Sequence, residues 1–167
     1  MQIRHRETGA VMYESELRSY LKANDGPSYD QLTPEVLEAV GVDPVLEGPQ
    51  ATGGTVYQYS QRDGVEQIEG KWYTKYILGP TFTDRPATDT EPAQTAAEQE
   101  AAYKAMKDAE QATNVRRTRN DKLKDCDWTQ IADSTADKAA WATYRQALRD
   151  ITAQAGFLWT IDWPVAP

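Results

Sequence analysis

The stretch Trp141-Ala-Thr-Tyr-Arg-Gln-Ala-Leu-Arg-Asp-Ile151 is the most strongly patterned part of the chain. Its large apolar side chains recur at spacings of 3, 4 and 3 residues, which places them on one face of an α-helix. The sequence therefore predicts an amphipathic helix over about residues 137–153, ended by Gly156. The residues of its apolar face are Trp141, Tyr144, Leu148 and Ile151.

A longer helix is predicted directly before this one. Residues 96–124 contain no Gly or Pro and are rich in Ala, Glu, Gln and Lys, which are good helix formers. The segment has few large apolar side chains, so we expect its stability to depend on neighbouring segments or partners. Residues 125–137 separate the two helices.

The chain after Gly156 is strongly aromatic. Alternate residues are large and apolar, a pattern that indicates an extended segment with one apolar face. Two interpretations are open. The segment adds to the sheet or groove of a partner protein, or its side chains fill the core of the chain's own helical hairpin. The alternating residues are Phe157, Trp159, Ile161 and Trp163.

The first 41 residues combine signals for short strands and short helices. Residues 3–6 and 10–13 predict a hairpin that turns at Thr8-Gly9. Ser15 is a predicted N-cap for a short helix. Thr33-Pro34-Glu35 has the cap, first-turn proline and acidic residue of a second helix start.

A β-rich segment follows. Residues 56–59, 65–69 and 71–78 each predict a strand, with turns expected at Asp63-Gly64 and at Gly70. Three consecutive strands joined by short turns predict a small antiparallel meander.

These patterns predict an α+β protein in two parts. The first is a domain of short helices and an antiparallel meander over residues 1–85. Residues 86–95, rich in Pro, Thr and acidic residues, predict a linker. Residues 96–167 predict a helical module that ends in an extended aromatic tail.

Composition excludes several functional classes. The chain of 167 residues carries 26 acidic and 18 basic side chains, a net charge of −8, which disfavours binding to nucleic acid or to anionic membranes. No apolar stretch approaches the roughly 20 residues that span a bilayer, and no secretory signal is apparent. We therefore expect a soluble intracellular protein.

The reactive residues are too few for most catalytic or metal chemistry. With one Cys and one His, the chain cannot form an internal disulfide, a multi-cysteine zinc site or a paired-His site. It has no Gly-rich phosphate loop and no HExxH motif. Cys126 lies between two aspartates, which favours a structural role. We expect no enzymatic activity, no cofactor and no bound metal.

One basic cluster, Arg116-Arg117-Thr118-Arg119, interrupts the acidic sequence. It has no interleaved aromatic residues and lies in an acidic chain, so a solvated helix face is favoured over a phosphate or nucleic-acid site.

Three blocks stand out near the C-terminus: Arg119-Asn-Asp-Lys-Leu-Lys-Asp-Cys-Asp-Trp-Thr-Gln130, the stretch 141–151, and Trp163-Pro164. Together they resemble the tail assembly chaperone domain of tailed bacteriophages. Two positions depart from the family pattern. Ile131-Ala132 replaces the usual Leu-Pro, and Thr152 stands where many members have Pro.

The resemblance implies a non-enzymatic protein that binds a tail or tail-fibre polypeptide during assembly. Such a protein would act in the host cytoplasm or in the virion tail, as part of a larger tail complex. Physically, a fibre subunit exposes apolar surface and unpaired strand edges before it oligomerises, and an aromatic binder can cover both. The alternative is a structural subunit that stays in the mature tail and links a fibre to the baseplate.

The apolar pattern and the resemblance together predict two sets of residues in the C-terminal module. The partner-binding set is Trp128, Trp141, Tyr144, Arg145, Arg149, Phe157, Trp159, Ile161 and Trp163. The set of other motif positions is Asp127, Thr129, Gln130, Gln146, Asp150 and Pro164.

A purely structural interpretation of the motif is also open. In that interpretation the two tryptophans of the motif pack on each other, and an arginine of the second helix pairs with an aspartate. The aromatic pair would be Trp128 and Trp141. The candidate ionic partners would be Arg145 or Arg149 with Asp127 or Asp150.

Overall fold

The computed structural model describes residues 1–167, which divide into two compact units, Met1–Thr81 and Phe82–Pro167. The first unit contains a five-stranded sheet with two helices, and the second is helical, which confirms the predicted α+β class. No helix combines the length and the apolarity that a membrane crossing would need.

The first unit is built on a mixed sheet. Its elements in chain order are β1 (Gln2–His5), β2 (Val11–Tyr13), α1 (Glu14–Ala23), α2 (Pro34–Ala39), β3 (Val42–Leu46), β4 (Tyr59–Ile68) and β5 (Lys71–Gly79). The strand order is β2-β1-β3-β5-β4, and neighbouring strands are antiparallel except for the parallel pair β3 and β5.

The local signals at the start of the chain were mostly correct. The β1–β2 hairpin forms as predicted, with Ile3 opposite Met12. Helix α2 begins after Thr33, whose side chain accepts a hydrogen bond from the backbone N–H of Val36 at 3.4 Å. The predicted cap of α1 was wrong, because Tyr13 is the N-cap residue and Ser15 lies inside the helix.

The predicted strand boundaries need two corrections. Asp63-Gly64 is a bulge inside a continuous β4 and not a turn: the register passes from Arg62 opposite Tyr76 to Val65 opposite Thr74, so β4 holds one extra residue. Gly64 has φ +76°, which favours glycine at the bulge. The predicted strand at 56–59 begins only at Tyr59.

Strand β3 was not predicted from the sequence. It joins the β1–β2 hairpin to the β4–β5 hairpin, so the sheet has five strands where a three-stranded meander was predicted. It is only five residues long and contains Pro44, which argues against a strand on sequence grounds. In the structure it lies between β1 and β5 and pairs with both.

Helix α1 closes the core of the first unit against β1 and β3. The fully buried side chains are Ile3, Leu17 and Val42, and Leu21 is nearly so. Leu37 and Val40, at the end of α2, pack on the same cluster.

The second unit begins with a loop and a long helix. Arg85 and Gln94 exchange two backbone hydrogen bonds, of 2.8 and 2.9 Å, which close the loop that contains the predicted linker. Helix α3 (Ala96–Asp125) starts with a capping box, in which Thr95 and Glu98 each accept the other's backbone N–H.

The chain then reverses to form a helical hairpin. A 3-10 turn over Asp127–Gln130 follows α3, and helix α4 (Lys138–Arg149) runs into a second 3-10 turn over Asp150–Ala153. Asp137 caps α4 by accepting the backbone N–H groups of Ala139 and Ala140.

The aromatic tail folds back onto the helical hairpin. It opens with a turn that the Thr160 N–H closes on the Gly156 carbonyl at 2.8 Å, so the predicted extended conformation is wrong at the start of the tail. The buried core it covers consists of Val115, Cys126, Tyr144, Leu148 and Ile151. The partly buried residues packed on this core are Leu123, Trp141, Phe157, Ile161 and Trp163.

Leu148 is fully buried at the centre of this core, so Leu148→Ala should lower the free energy of unfolding by about 2–5 kcal/mol. Met106→Ala, on an exposed part of α3, is the matched control and should change it by less than about 0.5 kcal/mol. Urea unfolding followed by far-ultraviolet circular dichroism measures both. Equal effects of the two substitutions would contradict this placement of the core.

Candidate partner-binding site

Arg145 joins the end of α3 to α4. Its Nη1 donates to the Leu123 carbonyl at 2.8 Å and to Cys126 Sγ at 3.0 Å, and its Nη2 pairs with Asp127 Oδ1 at 2.8 Å. The side chain is only 11% exposed. Arg145 thus satisfies a carbonyl left open at the end of α3 and fixes the turn that follows.

The electrostatics around Arg145 favour its charged form. Burial acts to lower the pKa of the guanidinium, but its hydrogen bonds to Cys126 and Asp127 outweigh burial and raise that pKa. A cation at the C-terminal end of α3 also interacts favourably with the helix dipole.

The Asp127–Gln130 turn is fixed from inside by Thr129. This side chain is fully buried, and its hydroxyl donates to the Cys126 carbonyl at 2.7 Å. The hydroxyl oxygen in turn accepts a hydrogen bond from the Gln130 side-chain amide at 2.8 Å. The three polar residues of the Asp-Trp-Thr-Gln motif therefore all have polar partners within the chain.

Trp128, the fourth residue of this motif, points outward. It is 53% exposed, and its ring meets Trp141 edge-on with 5.9 Å between ring centroids. Trp141 in turn meets Tyr144 edge-on at 5.6 Å, which links Trp128 to the buried core. Ile131 is 55% exposed and directly follows the Asp127–Gln130 turn, three residues after Trp128. We call Trp128, Ile131 and Trp141 the Trp128 surface.

The tail is held by polar contacts as well as by its aromatic rings. The Trp159 indole donates to Asp108 Oδ1 at 2.8 Å, and the Gln111 amide donates to the Leu158 carbonyl at 3.0 Å. Gln154 bonds both backbone groups of Asp162, accepting from its N–H and donating to its carbonyl.

Basic side chains of α3 complete the contacts of the tail. Arg116 lies over the Phe157 ring and Lys122 over the Trp163 ring, 5.9 and 5.6 Å from the ring centroids. Arg116 of the basic cluster therefore contacts the tail, a contact that the prediction of a solvated helix face did not include.

The two arginines in the predicted set differ sharply. Arg145 pairs with Asp127, whereas Arg149 is exposed and forms no ion pair. Asp150 accepts from the Gln146 amide at 2.9 Å and not from an arginine. The structural interpretation of the motif thus holds for the Arg145–Asp127 pair and for the contact between Trp128 and Trp141.

The remaining predicted residues divide by burial. Tyr144 is 8% exposed, and burial raises the pKa of its hydroxyl. Phe157, Ile161, Trp163 and Pro164 are partly buried, and Trp159 is 36% exposed. The most accessible members of the predicted partner-binding set are therefore Trp128, Arg149 and Trp159.

Sequence reasoning missed several residues that shape the site. Ile131 was noted only as a departure from the family pattern, although its apolar character beside Trp128 was a usable signal. Asp108, Gln111 and Gln154 hold the tail through hydrogen bonds for which the sequence offers no signal.

No group of three or more His, Cys, Asp or Glu side chains is arranged to hold a metal ion. Cys126 is 3% exposed, donates to the Leu123 carbonyl at 3.2 Å and accepts from Arg145, which agrees with the predicted structural role.

The motif residues thus build a helical hairpin whose connecting turn is fixed from inside and carries Trp128 on its outside. Residues 112–167, about a third of the chain, match the family described as phage tail assembly chaperone protein. This match confirms the resemblance suggested by the motif and supports a role in phage tail assembly. No curated protein and no solved structure matches the chain.

Arg145→Ala should lower the free energy of unfolding by about 2 kcal/mol or more, because it leaves the Leu123 carbonyl and Asp127 without their charged donor. Arg149→Ala, four residues further along α4, is the matched control and should cost less than about 0.5 kcal/mol. Arg145→Lys should restore little, since an ammonium cannot reproduce the guanidinium fork. Thermal and urea unfolding measure all three; equal stability of the two alanine variants would refute the role assigned to Arg145.

Proposed function

We propose that this chain is a phage tail assembly chaperone that binds an unassembled tail or tail-fibre polypeptide through the Trp128 surface. The observation that carries the proposal is a half-exposed tryptophan on a turn whose other three side chains are held within the chain. We propose that the chain acts in the host cytoplasm while tails are being built.

Rigid, exposed aromatic residues are efficient anchors for protein partners. Tryptophan contributes a large contact area, and a side chain already held in place loses little freedom on binding. The contact between Trp128 and Trp141 supplies part of this order, and Ile131 extends the apolar area.

The client would contribute the complementary surface. A tail or fibre subunit that has not yet oligomerised exposes apolar side chains that later become buried between subunits. A surface as small as the Trp128 surface can shield such side chains and still release them when the more extensive subunit interface forms.

The tail of this chain plays a supporting part in the proposal. Phe157, Ile161 and Trp163 pack on the module's own core, so their substitution would lower folding stability as well as binding. Arg149 and Trp159 are accessible and are proposed as secondary contacts.

Trp128→Ala should reduce the amount of tail or tail-fibre polypeptide that co-purifies with this chain by about tenfold or more, because it removes the central anchor. The experiment co-expresses the chain, affinity-tagged, with the tail and tail-fibre polypeptides of its own phage. Tyr20→Ala is the matched control: Tyr20 is 45% exposed and, like Trp128, makes an edge-on ring contact, in this case with His5.

The melting temperature of each variant separates binding from folding. We expect Trp128→Ala to melt within a few degrees of the unmodified chain, since half of its surface is already exposed. Undiminished co-purification of the variant would rule out the Trp128 surface as the contact.

The copy number in purified virions distinguishes a chaperone from a retained subunit. A chaperone is expected to be absent or substoichiometric in gradient-banded particles, as measured by mass spectrometry calibrated against the major tail protein. A fixed copy number that follows the tail's symmetry would contradict the chaperone proposal and favour a subunit that links a fibre to the baseplate.

A further inference from the structure

The first unit presents a long sheet edge. Strand β4 is last in the sheet, pairs only with β5 and is ten residues long, whereas the opposite edge strand β2 has three residues. The β4 sequence contains neither Pro nor Lys, but its charged residues Arg62, Asp63 and Glu66 and its bulge restrict pairing to a strand that matches their charges and register. Its bulge divides it into two four-residue ladders, 59–62 and 65–68.

The bulge places the two apolar ends of β4 on the same face of the sheet. Tyr59 lies opposite Gly79 and Ile68 lies opposite Lys71. Gly79 and Lys71 are eight residues apart on β5, so they share a face. Tyr59 is 55% and Ile68 is 41% exposed. Without the extra residue, the two side chains would point to opposite faces.

We propose that β4 pairs antiparallel with β4 of a second copy of this chain, about a two-fold axis at Asp63-Gly64. In this register Tyr59 lies opposite Ile68 of the second copy, and each ladder pairs over its whole length. The inference goes beyond the proposed function and does not depend on it.

The side chains of this register are self-complementary. Beyond the two apolar pairs, Gln61 lies opposite Glu66 and Arg62 opposite Val65, so no two like charges face each other. Every opposed pair also shares a face, because the same bulge interrupts both strands at the centre.

The backbone groups match in the same register. In an antiparallel ladder, alternate residues turn both their N–H and C=O groups toward the neighbouring strand. Four β4 residues lie opposite alternate residues of β5, so their N–H and C=O groups all turn to the same side of β4. They are Tyr59, Gln61, Glu66 and Ile68. Across the proposed two-fold axis these four residues lie opposite only one another.

The apolar face continues inward from the edge. Leu46 of β3 lies opposite Tyr73, which shares the face of Gly79 and Lys71, and Leu46 is 41% exposed. Ile77, on the same face of β5, is partly exposed. Pairing of two copies would join these two apolar strips into one.

The test introduces charged side chains at positions 59 and 68 of the full chain, which lie opposite each other in the proposed dimer. Tyr59→Glu with Ile68→Glu, and Tyr59→Lys with Ile68→Lys, place like charges opposite each other at both ends of the interface. Tyr59→Lys with Ile68→Glu places opposite charges there and removes the same apolar side chains. Circular dichroism melting confirms that each variant is folded.

Sedimentation velocity over a range of concentrations measures the dimer. We expect the unmodified chain to dimerise, both like-charge variants to dissociate about tenfold or more readily, and the opposite-charge variant to retain most of the dimer. A chain that is monomeric throughout, or three variants that dissociate equally, would overturn the proposal. Hydrogen exchange of the β4 amides provides a further test. If these amides are protected only in the presence of a tail polypeptide, the proposal is overturned in favour of a client strand at this edge.

Discussion

The hydrogen bonds of one guanidinium hold the C-terminal module in its observed form. Arg145 reaches from α4 to the last turn of α3 and contacts a carbonyl, a thiol and a carboxylate within 3.0 Å. Because these three groups follow one another closely in the chain, one side chain sets where α3 stops and how the next turn begins. The position of Trp128 follows from that turn, since Asp127 on one side and Thr129 on the other are both fixed.

This arrangement separates the structural and exposed parts of one short motif. Thr129 is fully buried and Asp127 is paired, whereas Trp128 between them is more than half exposed. The exposure of Trp128 is the observation on which the proposed binding role rests. Residues 112–167, which contain this turn, match a tail assembly chaperone family.

The aromatic tail shows how an alternating pattern can mislead. Alternation from Phe157 to Trp163 is typical of an extended strand, but a strand requires a neighbour to satisfy its backbone. Within this chain the tail obtains its hydrogen bonds from a turn at Gly156 and from the side chains of Gln111 and Gln154. Three of its four alternating residues pack on the helical hairpin, as in the self-packing interpretation that the sequence left open.

The sequence alone determined the elements whose signals are local. The spacing of apolar residues in α4, the absence of Gly and Pro in α3 and the cap at Thr33 each act within a few turns of chain, and each element formed as predicted. The motif residues and the family resemblance were also recoverable, because they depend on residue identity at fixed spacing. Tertiary structure alone decided the parallel pairing of β3 with β5, the bulge at Asp63-Gly64 and the partner of Arg145. These features join groups that lie far apart in the chain or select between local conformations of similar energy, and only the packing of the whole unit resolves that choice.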